Sequence, residues 1–396
     1  MKLTCRGFRS GAIRAGIKPS GAPDLGMIAC DKPASAAAVF TRNRVAAAPV
    51  RVSRAALRRG SGRVRAVVVN SGNANACTGP DGLADARRMV TLTSGALGAA
   101  RSEVLVVSTG VIGQRLPMDK IEPGIATLVP SLKGGGFDAF ADGILTTDRA
   151  RKVARRTVRA GTEKVTLIGC TKGAGMIAPN MATTLSFVLT DAVISPTELD
   201  GALRAATAVT YNAIVVDGDT STNDMILVMA SGAAGGRSLR GGAARTFEDS
   251  LTELLDDLAR QLMRGGEGVH HVVTVRVRGA RSETAARQIA RSIAISPLVK
   301  TAIAGGDPNW GRILCAAGYA GPAFDPTRVE LHIGDVPVVR GGQGVAGDAT
   351  EKSAAAVMAG PEYEMVLDLG QGREESRYLA CDLSHEYVSI NADYRS

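Results

Sequence analysis

The sequence predicts a mixed α/β (α+β) protein: a layered α/β/β/α sandwich of packed mixed sheets with a smaller β-rich C-terminal subdomain. Three observations carry this expectation. Short β-branched runs that end in Gly-rich turns alternate with helical patterns along the whole chain. A long leucine-faced helix in the second half offers a cover for such strands. The C-terminal quarter crowds several strand-like runs together. At 396 residues the chain exceeds the size at which one core usually divides, so two or three units are expected.

In chain order, "RAVVVNSG" (65–72) and "SEVLVVSTG" (102–110) read as buried strands running into glycine, with "DGLADARRMVTLTSGALG" between them as a helix. "SPTELDGALRAAT" opens with Ser195 as N-cap, Pro196 at the first helical position and Glu198 at the third, which is a capping box. "TFEDSLTELLDDLARQLMRGG" places Leu251, Leu254, Leu255, Leu258 and Leu262 on one helical face, with Gly265 to stop it. "HHVVTVRVRG" (270–279) alternates like a half-covered strand, and "RVELHIGDVPVV", "YEMVLDLG" and "HEYVSINADY" read as a β-rich end. A smaller C-terminal unit is expected to begin near residue 280.

Apolar residues at 45% and charged residues at 21% fit a globular chain and not a disordered one. No apolar run is long enough to cross a bilayer, and "MKLTCRGFRSGAIRAGIK" lacks the apolar stretch of a secretory signal, so the expected location is the cytoplasm, away from membranes. Cys5, Cys30, Cys77, Cys170, Cys315 and Cys381 lie far apart without a C-x-x-C pair and read as buried free thiols. His270, His271, His332 and His385 show no zinc-type spacing, so no metal is expected. The net charge is +9, with arginines crowded into "RVSRAALRRGSGRVR" (51–65) and "RARKVARRTVR" (149–159). No aromatics are interleaved for base stacking, so these stretches read as solvated helix faces that help attract anionic substrates, and no nucleic-acid partner is expected.

The stretch "KGAGMIAPNMATTLSFVL" (172–189) joins a Gly-rich segment and a Pro-Asn corner directly to a buried strand, with Ala182, Thr183 and Thr184 at the junction. A threonine hydroxyl needs a base, and one source is the threonine's own α-amine once the preceding peptide is cut. That amine titrates at roughly 7.7–8.0, close to what a base needs near neutral pH. Gly169, Gly173 and Gly175 can supply the unusual backbone angles such a cut requires. From these residues alone, a glycine-rich loop before an ordinary strand is the simpler account.

The wider sequence alters that balance. "KGAGMIAPNMATTL" closely resembles the signature of the ornithine acetyltransferase family, the bifunctional glutamate N-acetyltransferases of arginine biosynthesis. "GIKPSGAPDLGMI", "AAAVFTRNRVAAAPV", "VVVNSGNANACTG", "STGVIGQRLPM", "ILTTD", "DGDTSTND", "SPLVKTAIAGGDPNWGRI" and "CDLSHEYVSINADY" resemble further blocks of that family in the same order. The resemblance covers essentially the whole chain.

The resemblance implies self-cleavage at Ala182–Thr183, giving an α chain of 1–182 and a β chain of 183–396. The β chain would divide into 183–280, completing the main domain, and a subdomain of 281–396 closing the site. Thr183 would be the nucleophile, with its amine as base and the Thr109 hydroxyl and Gly110 N–H as oxyanion hole. Thr146, Lys172, Thr183, Glu267, Asn391 and Ser396 would bind substrate. Acetyl would pass from N2-acetyl-L-ornithine to L-glutamate by a ping-pong cycle with no cofactor, leaving acetyl-CoA open as a second donor. The family also suggests an α2β2 heterotetramer.

Two departures fall near this expected site: Gly266 before "EG" with Val269, His270 and His271 after it, and a terminus of Arg395-Ser396. They bear on substrate preference more than on the nucleophile. Two other readings are weighed beside this one. A related self-cleaving aminopeptidase or amidohydrolase would release free acetate, and a basic nucleic-acid-binding protein would show salt-dependent retention without acyl transfer.

Overall fold

The computed structural model describes residues 3–178 and 184–393. Ala182 and Thr183, the expected cleavage pair, and Ser396 lie outside the described residues.

The larger sheet has eight strands: β1 (Phe8–Ile13), β2 (Leu25–Phe40), β3 (Arg63–Asn73), β4 (Val104–Val111), β5 (Lys152–Ala160), β6 (Glu163–Lys172), β7 (Leu185–Thr190) and β8 (Met225–Ala230). They follow the order β4-β3-β2-β8-β7-β6-β5, with β1 also on β2. The 16-residue β2 is the hinge of the architecture. Its first half pairs with β1 and β3, its second half pairs with β8, and residues 31–33 between them are exposed where the β3 ladder shifts register.

The two halves of this sheet face each other. Val67, Val69, Leu105 and Val107 share an inner core with Ile168, Phe187 and Leu227 of the other half. The opposite faces are covered by helices, as the two-residue period of a strand requires. Val68, Val104 and Val106 meet Met89, Ile121 and Ile125 of α2 (Gly79–Leu97) and α3 (Met118–Ser131), while α1 (Ala48–Arg59) adds Ala48 and Val52. Val188, Ile226 and Val228 meet Leu203, Leu254 and Leu258 of α5 (Pro196–Val209) and α6 (Gly242–Arg264). The short α4 (Phe137–Gly143) brings Phe137 and Phe140 into the inner core, Phe140 edge-on to Phe187. The result is the expected α/β/β/α layering, made from one folded sheet.

Local chemistry fixes the covering helices. Ser195 Oγ accepts from Glu198 N and the Glu198 carboxylate accepts from Ser195 N, so α5 starts at the expected capping box. All five predicted leucines of α6 are fully buried, each contributing about 1.5–3 kcal/mol of transfer free energy.

A second sheet has the order β12-β11-β10-β13-β9-β14, formed by β9 (Val272–Ala280), β10 (Glu330–Ile333), β11 (Val336–Arg340), β12 (Gln343–Gly344), β13 (Glu362–Asp368) and β14 (Glu374–Cys381). Its core is closed by α7 (Glu283–Ile295), α8 (Pro297–Ala304), α9 (Trp310–Gly318) and α10 (Asp348–Met358). β9 is the strand that joins β13, in parallel, to β14.

Three expectations are corrected. "HEYVSINADY" supplies a helix, α11 (His385–Asp393), and no strand. Ser384 Oγ accepts from Tyr387 N and donates to Gly268 O, which starts a helix where β-branched residues suggest a strand. The arginines of 149–159 lie on and before β5, not on a helix, and three of the five are matched by acids: Arg151 with Asp138 and Asp142, Arg156 with Asp257, Arg149 with Glu386. All six cysteines are free, but Cys77 and Cys315 are exposed. Among the described residues, no helix is long and apolar enough to cross a membrane.

Candidate active site

The sheet delivers its polar residues to one end. Near the end of β4, Thr109 and Gly110 face Ser71 and Gly72 of β3 in a parallel ladder that slips at Asn73. Gly110 has φ 132°, and a Cβ there would fall on the backbone of Gly72 and Asn73, so only glycine fits. Asn223, just before β8, clamps this corner by donating to Ala74 O (2.7 Å) and Ser108 O (2.8 Å). Ser108 in turn donates to Asn70 Oδ1 at 2.6 Å. Asn223 is therefore a structural strut between strands that are distant in sequence.

A cleft of about 120 Å³ opens beside this corner. Of the expected site residues, it gathers Thr109, Gly110, Thr146, Lys172, Glu267 and Asn391, with Thr147 next to Thr146. Lys172 ends β6 and donates from Nζ to Thr146 Oγ1 at 2.9 Å. Glu267 lies in the turn after α6; its N–H donates to Ala174 O (2.8 Å) and its carboxylate accepts from Asn391 Nδ2 of α11 at 3.2 Å. Gly175 on the floor leaves room that the Glu267 carboxylate fills. Larger cavities, of about 520 Å³ beside Trp310 and about 490 Å³ beside Arg287, contain none of these residues.

Behind the cleft lies a charge cluster that no local sequence signal marks. Asp148 is fully buried and pairs with Lys152, itself almost fully buried. Asp148 also accepts from Gly173 N at 2.8 Å and from Thr146 N at 3.3 Å. Burial alone would push the Asp148 carboxyl up, but Lys172 and Lys152 outweigh it and hold the group below the usual carboxylate range. Burial pushes the Lys172 ammonium down, with Asp148 opposing and Lys152 adding to the fall. Asp224 is buried with Oδ2 unpartnered among the described residues, and burial drives its carboxyl well up against the pull of Lys172.

The segment leading to the expected cut is held by another carboxylate missing from the sequence reading. Asp217 accepts from Met176 N at 2.5 Å and Ile177 N at 2.8 Å, fixing Met176 at φ 58°, rare for a residue with a side chain. On the far side, the Thr184 hydroxyl is buried, bonded to Thr171 Oγ1 at 3.0 Å and donating to Lys172 O. Thr171 continues to Ser186 (2.7 Å) and Ser186 to Tyr211 (2.9 Å), a buried hydroxyl chain under the start of β7. Of the departures from the family pattern, Gly266, Val269, His270 and His271 stand outside the cleft lining, and Arg395-Ser396 lies outside the described residues. The N–H groups of His270 and His271 both donate to Asp382 Oδ1 at 3.0 Å, His270 Nε2 lies 3.2 Å from Glu386, and His271 Nδ1 lies 3.0 Å from Gly360 O.

A layered α/β scaffold carrying a small cleft with a buried lysine, a carboxylate and several hydroxyls defines an enzyme for small, charged substrates. The chain belongs to the ArgJ family, which it matches over residues 9–396. It is 48% identical over 396 residues to the arginine biosynthesis bifunctional protein ArgJ of Geobacter sulfurreducens, with both chains fully covered. Its identity to the protein of the same name from Symbiobacterium thermophilum is 46%, covering 98% of this chain and 97% of that one. The crystal structure of arginine biosynthesis bifunctional protein ArgJ from Bacillus halodurans matches with a TM-score of 0.50 at 39% identity. That match covers 52% of this chain and 96% of the solved one, so the solved polypeptide is about half as long.

Proposed function

We propose that this chain is a self-processing glutamate N-acetyltransferase of arginine biosynthesis, with Thr183 as nucleophile. The observation that carries the reading is the convergence of Thr109, Gly110, Thr146, Lys172, Glu267 and Asn391, from both sides of the expected cut, on one cleft. The half-length solved relative is what a protein cut near its middle would leave. Of the two adjacent threonines, Thr184 already commits its hydroxyl to Thr171 and Lys172, which leaves Thr183 for chemistry.

In maturation, Thr183 Oγ attacks the Ala182 carbonyl carbon and the acyl group shifts from nitrogen to oxygen. Water hydrolyses the ester, which releases the Ala182 carboxylate and the Thr183 amine. In turnover, that amine takes the hydroxyl proton as Oγ attacks the acetyl carbonyl of N2-acetylornithine. The proton passes to the departing ornithine nitrogen, leaving acetyl-Thr183. The α-amine of glutamate then attacks, and N-acetylglutamate leaves with the threonine regenerated. Lys172 suits the substrate α-carboxylate and Glu267 the ornithine ammonium, by charge.

The Thr109 hydroxyl and Gly110 N–H are read as the oxyanion donors, each worth about 3–4 kcal/mol. Thr109→Ala is expected to lower kcat/KM about 10²-fold with the fold intact by circular dichroism, whereas Gly110→Ala keeps the N–H but sets a Cβ on the Gly72 and Asn73 backbone, so it is expected to lose stability and turnover together. Ornithine and N-acetylglutamate formation provides the assay. A folded Thr109→Ala enzyme with wild-type turnover would remove Thr109 from this role, and free acetate in place of N-acetylglutamate would make the protein a hydrolase.

The two products of the cut stay joined on this reading, because β7 pairs with β6 and β8 pairs with β2 across it. Two such αβ units would form the α2β2 enzyme in the cytoplasm, checked by light scattering and cell fractionation. Ser396 completes the proposed substrate contacts.

A further inference from the structure

The first cut needs acid–base help from a group other than the Thr183 amine, which does not exist until the peptide is broken. The hydroxyl must lose a proton as it attacks, and the amide nitrogen must gain one, because it is too basic to leave as an anion. Most titratable groups around the junction are already engaged. Asp148 is tied to Lys152 and Gly173 N, and Asp217 to the N–H groups of Met176 and Ile177. Lys172 is bonded to Thr146, and Glu267 to Asn391.

Asp224 is the exception. It is 2% exposed, and its Oδ2 has no hydrogen-bond partner among the described residues. A buried acceptor left unpaired costs stability and asks for a reason. Its position supplies one. β7 and β8 run parallel with Leu185 beside Met225, so the residues entering them, Thr184 and Asp224, stand side by side at the usual strand spacing of about 4.8 Å. Thr183 is bonded directly to Thr184, one Cα step of about 3.8 Å away. The backbone here is held on every side. Asn223 is clamped to Ala74 O and Ser108 O, Asp224 O accepts from Thr41 N at 3.0 Å, and Met225 N donates to Thr184 O at 3.0 Å. The carboxyl is therefore fixed at the junction with one oxygen free. Burial favours its protonated form, with Lys172 opposing.

We propose that Asp224 is the acid of self-cleavage, handing its proton to the Thr183 nitrogen as the Ala182–Thr183 bond breaks. This deepens the self-processing reading above and rests on it. In the step, Thr183 Oγ bonds to the Ala182 carbonyl carbon and the carbon–nitrogen bond opens. The nitrogen takes the Asp224 proton, and the proton lost by the hydroxyl restores the Asp224 carboxyl. The acid ends as it began, and the product is the ester that water then hydrolyses.

The experiment follows cutting of the full-length chain, radiolabelled by cell-free synthesis, for the wild type and Asp224→Asn. Gel mobility gives the rate after transfer into buffers from acid to alkaline pH, over the range in which circular dichroism shows the fold intact. Asparagine matches the size and neutrality of the protonated acid, so the variant is expected to fold. Its cutting at neutral pH should be slower by about 10²–10⁴-fold. In the wild type the rate should fall as pH rises and the carboxyl loses its proton, and Asp224→Asn should lack that fall. The charged group facing Asp224 is Lys172 of β6, itself beside Asp148, Lys152 and Glu267, whereas Thr41 and Ser221 present hydroxyls. An alkaline fall that persists in Asp224→Asn would belong to those groups and overturn the proposal.

Equal cutting by wild type and folded Asp224→Asn would also overturn it. Hydroxylamine cleaves the ester and spares the amide, so cutting of the variant restored by hydroxylamine would move Asp224 to ester hydrolysis and overturn the donor role. If Asp224→Asn fails to fold, the wild-type series decides, and a rate that does not fall with rising pH overturns the proposal. A wild type that never cuts would refute the self-processing reading and this step with it, which sets that failure apart from the others.

Discussion

Thr183→Ala is expected to yield one uncut polypeptide and to lose acyl transfer on the order of 10⁶-fold, the scale seen when a catalytic hydroxyl is deleted. Both effects come from one oxygen. Without Oγ the Ala182 carbonyl has no internal attacker, and without the cut there is no α-amine near pKa 8 to act as base. Residual turnover would come only from binding and the oxyanion donors. Thr183→Ser keeps the hydroxyl and is expected to cut and turn over, more slowly. Thr184→Ala is the paired control: its hydroxyl bonds Thr171 and Lys172 O, so the change should reduce stability and spare the chemistry. Gel mobility after purification and an N2-acetylornithine-to-glutamate assay on each variant separate these outcomes.

Asp148→Asn is expected to destabilise the fold by about 3–5 kcal/mol, because it removes one partner of a buried pair and leaves Lys152 and Lys172 uncompensated. Both side chains of the Asp148–Lys152 pair are within 5% of full burial, so little solvent screening softens the loss. The pH dependence has a definite sign. Asp148 has its folded pKa held below the ordinary value, so its contribution is fully present above that ordinary value and fades as pH falls through the lower one. The wild-type advantage over Asp148→Asn should therefore be largest near neutral pH and shrink in acid. The remaining enzyme should also show a raised KM, since Thr146 N and Gly173 N lose their charged acceptor. Denaturant melts of both proteins at neutral and acid pH measure the difference.

The parts of this site that were legible in the sequence are those marked by local chemistry. Glycines around Thr183, the strand ending on Thr109-Gly110, and the capping box at Ser195 each announce a backbone requirement a few residues long. The alternating strand and helix patterns also foretold the layers, although not that one 16-residue strand, β2, bends to supply both halves of the sandwich. Asp148, Asp217 and Asp224 were illegible for a different reason. Each is an ordinary acid until folding buries it, and their partners at Gly173, Met176 and Lys172 lie far along the chain. The misread α11 had a usable signal, Ser384 three residues before Tyr387 and Glu386 in the first turn, outweighed by Val388 and Ile390.

The most direct test is intact mass with N-terminal sequencing of the purified wild-type protein, followed by mass mapping after brief exposure to N2-acetylornithine. Two chains, 1–182 and 183–396, with the second beginning Thr-Thr-Leu and carrying one acetyl group on Thr183, is the expected result. An active enzyme that remains a single polypeptide, or an acetyl group trapped at any other residue, would contradict it.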